Sequence, residues 1–208
     1  MTIRPARKDD VRQATPLILA AMGSSMFAET ASTTREQAEE TVAYLFTLGG
    51  NHLSYQVTLV YEIEQSIAGV VIYYDGSEEA QLFASAAKQF RRLRNGPAIT
   101  PDREAQDDEL YCSILSVDPH FGRSGIGTAL LNAIEEEAHR LRSLKLSLNV
   151  AVGNTAALRL YKRLGYVIVG EMQIDTYAYY HMVKDLTRVP VQVAAANVSM
   201  QAMRPTAG

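Results

Sequence analysis

One stretch of this chain, residues 114–131, constrains its fold more than any other, because it reads as a strand, a glycine-rich turn and a helix in direct succession. Residues 114–117 are mostly apolar and run into Asp118 and Pro119, where proline ends regular strand pairing. Three glycines follow, at positions 122, 125 and 127. An amphipathic segment then begins without a spacer, so the pattern predicts a helix whose first amide groups are exposed at the turn.

A helix that starts in this way attracts anions. Its first N–H groups have no partner within the helix and carry a partial positive charge, and glycine lets a ligand approach the backbone closely. The sequence therefore predicts a turn that binds a diphosphate. The amides expected to hold it are those of Arg123, Ser124, Gly125, Ile126, Gly127 and Thr128.

Two common phosphate-binding motifs do not fit this turn. A P-loop requires G-x-x-x-x-G-K-[S/T], and no lysine follows these glycines in that position. A dinucleotide fingerprint requires G-x-G-x-x-G/A, but Leu130 stands where its third small residue belongs. The acidic ribose ligand expected about twenty residues further on is also missing, since the next strand ends in Asn149 and Val150.

A third motif fits better. Residues 122–127 (GRSGIG) resemble the acetyl-CoA-binding motif [Q/R]-x-x-G-x-[G/A] of the GNAT superfamily of N-acetyltransferases. Residues 154–166 (NTAALRLYKRLGY) resemble the second signature of that family, N-x-x-A-x-x-x-Y-x-x-x-G-[F/Y]. The first motif departs from the family at Gly122, which replaces the usual Gln or Arg, with Arg123 one place later.

The resemblance implies an α/β (α+β) fold with a central mixed, twisted sheet of about seven strands flanked by helices. In addition to that fold, helical spacing in this chain predicts an inserted helix between the third and fourth strands. The family's strands that end here at Val117 and near Val150 splay apart, and coenzyme A lies in the gap between them. Residues 1–186 are expected to form the acetyltransferase domain, and residues 187–208 a disordered tail.

Periodicity and turn residues predict the individual elements. Strands are expected at 2–4, 56–63, 67–74, 109–117, 144–150, 166–173 and 177–183. Helices are expected to begin after Asp9 or Asp10, after Thr34, at Glu78, in the glycine turn and after Asn154. Residues 23–32 are predicted to form a loop. The insertion at 75–108 ends in a loop from Asn95 to Asp108, and it either covers part of the acceptor site or is a surface elaboration.

The resemblance also implies roles for particular residues. The main chain of Leu115 and Val117 would pair with the pantetheine arm as a partner strand does. Asn154 would contact the pantetheine, or act only as a helix cap. Tyr161 lies seven positions further along the same helix face and would protonate the departing thiolate; the alternative is a core tyrosine with a satisfied hydroxyl.

The general base is harder to assign. The acceptor amine must lose a proton before it attacks, and family members often take the base from the strand before the glycine turn. Glu109 is the carboxylate of that strand here, and His181 is a second candidate. Cys112 has no His or Asp partner nearby in sequence, so direct transfer is favoured over a covalent acyl-enzyme.

Composition narrows the class of protein. The net charge of −3 gives no reason to expect a nucleic-acid partner. The single cysteine fits a reducing compartment, and neither a membrane span nor a signal peptide is recognisable, so a cytoplasmic protein without membrane contact is expected. His, Cys and Asp do not cluster at ligand spacing, so no metal is expected. The sequence leaves open whether the chain forms a homodimer.

Taken with the resemblance, these features predict an N-acetyltransferase. It would transfer the acetyl group of acetyl-CoA directly to a primary amine of a small molecule or peptide. The alternative is a non-catalytic acyl-CoA-binding or sensor domain, which the missing base and Gly122 leave open.

Overall fold

The computed structural model describes residues 1–94, 102–174 and 177–187, and these form a mixed sheet of seven strands flanked by helices. The predicted α/β fold is confirmed. The strands are β1 Thr2–Pro5, β2 Thr58–Ile63, β3 Ser66–Asp75, β4 Leu110–Val117, β5 Lys145–Ala151, β6 Val167–Ile174 and β7 Tyr177–Asp185. The helices are α1 Val11–Met22, α2 Met26–Glu29, α3 Arg35–Thr47, α4 Glu79–Arg94, α5 Ile126–Leu141 and α6 Thr155–Arg163.

The strand order in the sheet is β1-β2-β3-β4-β5-β7-β6. The predicted hairpins β2–β3 and β6–β7 are both antiparallel neighbours. β4 and β5 are parallel, because α5 carries the chain back across the sheet between them. The strand before the glycine turn and the strand after α5 therefore lie side by side at the centre of the sheet.

β4 and β5 separate soon after they meet. Their pairing runs only from Leu110 opposite Leu146 to Cys112 opposite Leu148. Beyond Cys112, β4 continues to pair with β3 on its other side, and β5 continues to pair with β7. The gap implied by the family resemblance is therefore present, and it opens toward the carboxyl ends of both strands.

The sheet buries apolar side chains on both faces. Ile18 of α1 and Phe46 of α3 pack on one face with Val70 of β3, and all three are fully buried. Ile134 of α5 packs on the other face with Val71 of β3. Because successive side chains of a strand point to opposite faces, β3 needs apolar residues at consecutive positions, and this explains its continuous apolar sequence.

The helix α1 begins directly after Asp10, as predicted, but two local details differ from the expectation. Asp10 does not cap α1 with its side chain; its carboxylate instead accepts hydrogen bonds from the Arg4 guanidinium at 2.7 and 2.9 Å and from the Arg7 amide at 2.7 Å. A partly buried ion pair with Arg4 of β1, six positions earlier in the chain, has replaced the side-chain cap. Residues 23–32, predicted to be a loop, contain the short helix α2. The Thr34 cap of α3 is confirmed, since its hydroxyl accepts from the Gln37 amide.

The predicted inserted helix is present as α4, between β3 and β4. Of the loop predicted at 95–108, residues 95–101 lie outside the described part of the chain, as does the predicted tail from 188 onward. Residues 102–109 return to the sheet beside Gly76, whose amide donates to the Glu109 carbonyl at 2.9 Å. A Cβ on Gly76 would lie 1.9 Å from the Gln106 carbonyl oxygen, so the returning loop fits only against glycine.

Replacement of Gly76 by alanine should therefore destabilise the protein. The new Cβ would meet the backbone of Gln106, which cannot shift without disturbing the loop. We therefore expect the free energy of unfolding to fall by about 2 kcal/mol or more. Gly153→Ala is the matched control, because a Cβ there meets no atom within 4 Å, and it should change stability by less than about 0.5 kcal/mol. Urea unfolding of the two variants measures the difference, and equal stabilities would show that the loop does not pack as described.

Candidate active site

The glycine turn leaves β4 through a short 3₁₀ turn at Pro119–Phe121. The Asp118 carboxylate accepts from the His120 amide at 2.9 Å and so starts this turn. The backbone then takes left-handed φ values at Arg123 (61°) and Gly125 (85°) before α5 begins. These two positions turn the chain sharply enough to aim the start of α5 back toward the end of β4.

The first turn of α5 is left open for a ligand. Gly125 is its N-cap residue and supplies no side-chain hydrogen bond to the amides that follow. Ile126 is buried and anchors the helix in the core, whereas Gly127 and Thr128 are half-buried. A Cβ on Gly127 would make only ordinary contact with Val117, at 3.7 Å, so packing within the chain does not require glycine there. The exposed side chains of Arg123 and Ser124 border the same turn.

A cavity of about 350 Å³ occupies the gap between β4 and β5. Leu115 lines it from β4, and the predicted cofactor residues Asn154 and Tyr161 line it from the start and the middle of α6. Val117 is half-buried further along β4, closer in sequence to the glycine turn, and is not in the cavity wall. Beyond Cys112, the edge of β4 that faces β5 has no strand partner within the described residues.

Both site residues predicted on α6, Asn154 and Tyr161, border the cavity. The Asn154 side chain accepts from the Ala157 amide at 3.1 Å, so the residue is an N-cap and also borders the cavity. Tyr161 is half-buried, and its ring packs at 5.9 Å, centroid to centroid, on the ring of Tyr166. Within the described part of the chain its hydroxyl makes no hydrogen bond, so Tyr161 does not have the satisfied hydroxyl of an ordinary core tyrosine. Burial raises the pKa of Tyr161, which keeps the hydroxyl protonated.

Part of the cavity wall is formed by residues from outside the two sequence motifs. They come from the end of α1, the segment before β2, the helix α4 and the loop before β4, and include Met22, Ser25, His52, Leu53, Phe83 and Glu104. The His52 and Phe83 rings are stacked with their centroids 4.0 Å apart. The insertion thus contributes to the wall of the cavity, through Phe83 and Glu104.

The two candidate bases lie behind the cavity wall. Glu109 and His181 are both buried, and Glu109 Oε1 lies 3.2 Å from His181 Nε2. Burial alone would raise the pKa of Glu109, but hydrogen bonds from His181 and from the Gln106 amide outweigh this effect and lower it. Neither side chain lines the cavity. They are connected to it through Asn149, whose Oδ1 lies 2.7 Å from His181 Nδ1.

Sequence reasoning missed the carboxylate that does line the cavity. Glu104 stands in an irregular loop without periodicity or motif, so no sequence signal marks it. Its carboxylate accepts from the Tyr111 hydroxyl at 2.7 Å, and that hydroxyl accepts from Asn149 Nδ2 at 3.0 Å. Only the return of the loop onto the sheet brings Glu104 to the cavity.

Cys112 also lines the cavity, but its environment does not suit a nucleophile. Burial raises the pKa of the Cys112 thiol to about 12, so the thiol stays protonated at neutral pH. In the part of the chain that the structure describes, no imidazole is hydrogen-bonded to its sulfur, which lies 4.0 Å from the Ile114 carbonyl oxygen. Within the described residues, moreover, no three His, Cys, Asp or Glu side chains cluster closely enough to hold a metal ion.

His52 provides a pH-dependent test of this arrangement. Burial lowers the pKa of His52 to about 3, so the folded protein keeps it neutral while the unfolded chain takes up a proton below about pH 6.5. Stability should therefore fall as the pH drops below about 6.5. His52→Phe keeps a ring stacked on Phe83 but removes the titrating group. Its free energy of unfolding should therefore fall by about 2 kcal/mol less than that of the wild type between pH 7 and pH 5. Urea unfolding at both pH values measures it, and equal losses would place His52 in contact with solvent.

Among the described residues, no helix has both the length and the apolar character needed to cross a bilayer.

The chain was also compared with known proteins. The family model described as the acetyltransferase (GNAT) family matches residues 24–166. The [ribosomal protein bS18]-alanine N-acetyltransferase of Escherichia coli (strain K12) is 37% identical over 59 residues, which span 28% of this chain and only 40% of that enzyme.

Solved structures show the same fold over nearly the whole chain. An N-acetyltransferase from Staphylococcus aureus Mu50 is 26% identical with a TM-score of 0.76, and the match covers 88% of this chain and 100% of that one. The PaiA N-acetyltransferase from Thermoplasma acidophilum, solved in complex with coenzyme A, is 12% identical with a TM-score of 0.53. The match covers 88% of this chain and 98% of that one, and at this identity it shows only a shared fold. Because the family model spans the open strand gap, the glycine turn and the helix of Tyr161 in one match, the chain belongs to the GNAT acetyltransferase family.

Proposed function

We propose that this protein transfers the acetyl group of acetyl-CoA directly to a primary amine of a small molecule or peptide, with residues 1–186 as the catalytic domain. The observation that carries the proposal is that one cavity is lined by two groups of residues. Asn154 and Tyr161 come from the second sequence motif, whereas His52 and Glu104 come from segments outside both motifs. A site that only binds acyl-CoA needs the motif residues, whereas a second substrate needs further residues in the wall.

The residues present fit acetyl-CoA. The uncapped amides of residues 125–128 would hold the diphosphate at the positive end of α5. Gly127 has no side chain, which leaves room for the diphosphate. The unpaired edge of β4 at Leu115 and Val117 would accept the pantetheine arm as an added strand, beside Asn154. The PaiA N-acetyltransferase, which shares this fold, forms a complex with coenzyme A, and this supports coenzyme A as the ligand.

Bound acetyl-CoA supplies an activated acetyl group. In the transfer a bond forms between the amine nitrogen and the acetyl carbon, the carbon–sulfur bond breaks, and the amine loses one proton. Tyr161 would donate its proton to the departing sulfur, since its hydroxyl borders the cavity, is unbonded within the described chain and stays protonated because of its raised pKa. The protonated thiol of Cys112 favours this direct route over an acetylated cysteine.

Glu109 was a predicted base, but here it would act indirectly, by positioning other residues. It lies behind the wall with His181, so it cannot touch an amine held in the cavity. The pair instead orients Asn149 and, through it, Tyr111. The proton leaving the amine would then pass to solvent or to a group that lines the cavity.

Binding and turnover test the proposal in two steps. Acetyl-CoA at about 100 times its Kd should stabilise the protein by about 2.7 kcal/mol through mass action, whereas NAD and ATP should not. Purified protein should then release coenzyme A from acetyl-CoA faster when a primary amine is added. Stabilisation without amine-dependent release for any class of amine would identify the non-catalytic acyl-CoA sensor instead. Stabilisation by NAD but not by acetyl-CoA would mean that the glycine turn has been misread.

A further inference from the structure

His181 is a buried histidine whose two ring nitrogens each face an oxygen atom. It is the direct cross-strand partner of Asn149, and its Nδ1 lies 2.7 Å from Asn149 Oδ1. On the other side of the ring, Nε2 lies 3.2 Å from Oε1 of Glu109, the residue immediately before β4. Because His181 and Glu109 are both buried, these neighbours decide where the ring carries its protons.

The amide of Asn149 has one orientation that suits its surroundings. Asn149 Nδ2 donates to the Glu104 carbonyl at 3.0 Å and to the Tyr111 hydroxyl at 3.0 Å. A carbonyl oxygen can only accept, so the reverse orientation would place Asn149 Oδ1 against the Glu104 carbonyl oxygen. The amide oxygen therefore faces His181, and the proton between the two residues belongs to His181 Nδ1.

Glu109 faces the other ring nitrogen as a carboxylate. Burial alone would raise the pKa of Glu109, but the hydrogen bonds from His181 and from the Gln106 amide outweigh burial and lower it. Glu109 Oε2 accepts from the Gln106 amide at 3.1 Å, which leaves Oε1 for His181. A ring protonated only on Nδ1 would turn the lone pair of Nε2 toward this anion. A ring protonated on both nitrogens donates to both neighbours and pairs its charge with Glu109.

The proton on Nδ1 matters because Asn149 belongs to the cavity wall. Asn149, Tyr111 and Glu104 line the cavity, whereas His181 and Glu109 do not. The Tyr111 hydroxyl accepts from Asn149 and donates to the Glu104 carboxylate at 2.7 Å. If the Asn149 amide turned round, it would present an acceptor to this hydroxyl and compete with Glu104 for its proton. The wall thus keeps one arrangement of donors and acceptors as long as His181 donates to Asn149.

We propose that His181 is an imidazolium paired with Glu109, and that it is the positioning residue for the part of the cavity wall formed by Asn149, Tyr111 and Glu104, on which productive binding of the acceptor amine depends. This role rests on the proposed function and adds to it a residue behind the site. The essential contact is the proton that His181 Nδ1 donates to Asn149. The charge of Glu109 holds the second proton on Nε2, and Glu109 itself does not take part in the transfer.

Nitrogen NMR of protein with isotopically labelled histidine tests the protonation state. Both ring nitrogens of His181 should carry a proton at pH 7, and its signals are identified by elimination with His52→Phe, His120→Gln and His139→Gln. In Glu109→Gln, the new side-chain oxygen would accept from the backbone amide and its nitrogen would donate to His181 Nε2. That ring nitrogen should then lose its proton, while Nδ1 keeps its own. A neutral His181 in the wild type would overturn the proposal.

Two variants that differ only at position 181 test the effect on turnover. In Glu109→Gln the Nδ1 proton remains, so kcat/KM for phenethylamine or a short peptide amide should stay within about threefold of the wild-type value. The double variant Glu109→Gln/His181→Phe keeps a ring, leaves no buried carboxylate unpaired and lacks the Nδ1 proton. Its kcat/KM should be about tenfold below that of Glu109→Gln, while the Kd for acetyl-CoA should change by less than about threefold.

Asn149→Asp gives a second, near-isosteric test that leaves the buried pair intact. A carboxylate at this position cannot donate to Tyr111 or to the Glu104 carbonyl, so kcat/KM should again fall about tenfold. Equal turnover in Glu109→Gln and the double variant would overturn the proposal, as would a loss of about tenfold in Glu109→Gln alone. The NMR signals decide the protonation state even without turnover. Failure of the wild type to acetylate any amine, with His181 an imidazolium, would instead contradict the proposed function.

Discussion

Replacement of Tyr161 by phenylalanine is expected to lower kcat by about ten- to a thousandfold, the effect of removing a positioned general acid. The ring remains, so its packing on Tyr166 is kept. The hydroxyl makes no hydrogen bond within the described chain, so stability should change little. Affinity for acetyl-CoA should also be nearly unchanged, because the hydroxyl matters mainly as negative charge grows on sulfur.

The neighbouring tyrosine supplies a matched control. Tyr166 is 2% exposed, does not line the cavity, and its hydroxyl is buried without a partner within the described residues. Tyr166→Phe should therefore leave kcat unchanged, and stability should stay the same or rise because an unsatisfied buried hydroxyl is removed. Steady-state kinetics with acetyl-CoA varied, together with urea unfolding, separates the two variants. Equal turnover in Tyr161→Phe, with chemistry shown to limit the rate, would mean that another group protonates the thiolate.

Replacement of Gly127 by glutamate is expected to weaken acetyl-CoA binding by more than about a hundredfold. The new side chain would place a carboxylate at the start of α5, where the diphosphate is expected, and such a like-charge contact costs several kcal/mol. The fold should survive, because a Cβ at this position meets only Val117 at an ordinary 3.7 Å and the backbone is helical. Gly125→Glu should also abolish binding, but its φ of 85° adds backbone strain that Gly127 does not have.

Gly170→Glu controls for the added charge and volume. Gly170 lies in the edge strand β6, where a Cβ meets no atom within 4 Å. Calorimetric titration of both variants with acetyl-CoA should show normal affinity for Gly170→Glu and none measurable for Gly127→Glu. Normal affinity in a folded Gly127→Glu protein would remove the glycine turn from the binding site.

The sequence predicted those parts of the structure that depend on neighbouring residues. The Thr34 cap, the Asn154 cap and the glycine turn are local motifs in which the interacting groups are within a few positions of each other. The β-rich residues 67–74 predicted a strand, and in the structure β3 is covered on both faces, each of which packs its own set of side chains. The strand gap and the place of Tyr161 came from the family resemblance, and the cavity shows both together.

The parts that could not be predicted depend on contacts between separate elements of the fold. Asp10 was expected to cap α1, but its carboxylate instead accepts hydrogen bonds from Arg4 of β1. Glu109 was a candidate base as the carboxylate of the strand before the glycine turn, yet it lies behind the cavity wall, 3.2 Å from His181, which is far along the chain. Glu104 had no pattern around it and reaches the cavity because Glu79 holds its loop. Tertiary contacts decide which polar group faces the substrate, and a sequence pattern does not contain them.

Mass spectrometry of the acetylated products tests the central claim most directly. The enzyme is incubated with acetyl-CoA that carries an isotopic label in the acetyl group, together with phenethylamine or a short peptide amide, and both amine and protein are analysed. Direct transfer predicts labelled amine in equal amount to the coenzyme A released, with no label on the protein and none at Cys112. Label retained on the protein, or coenzyme A released without any labelled amine, would contradict it.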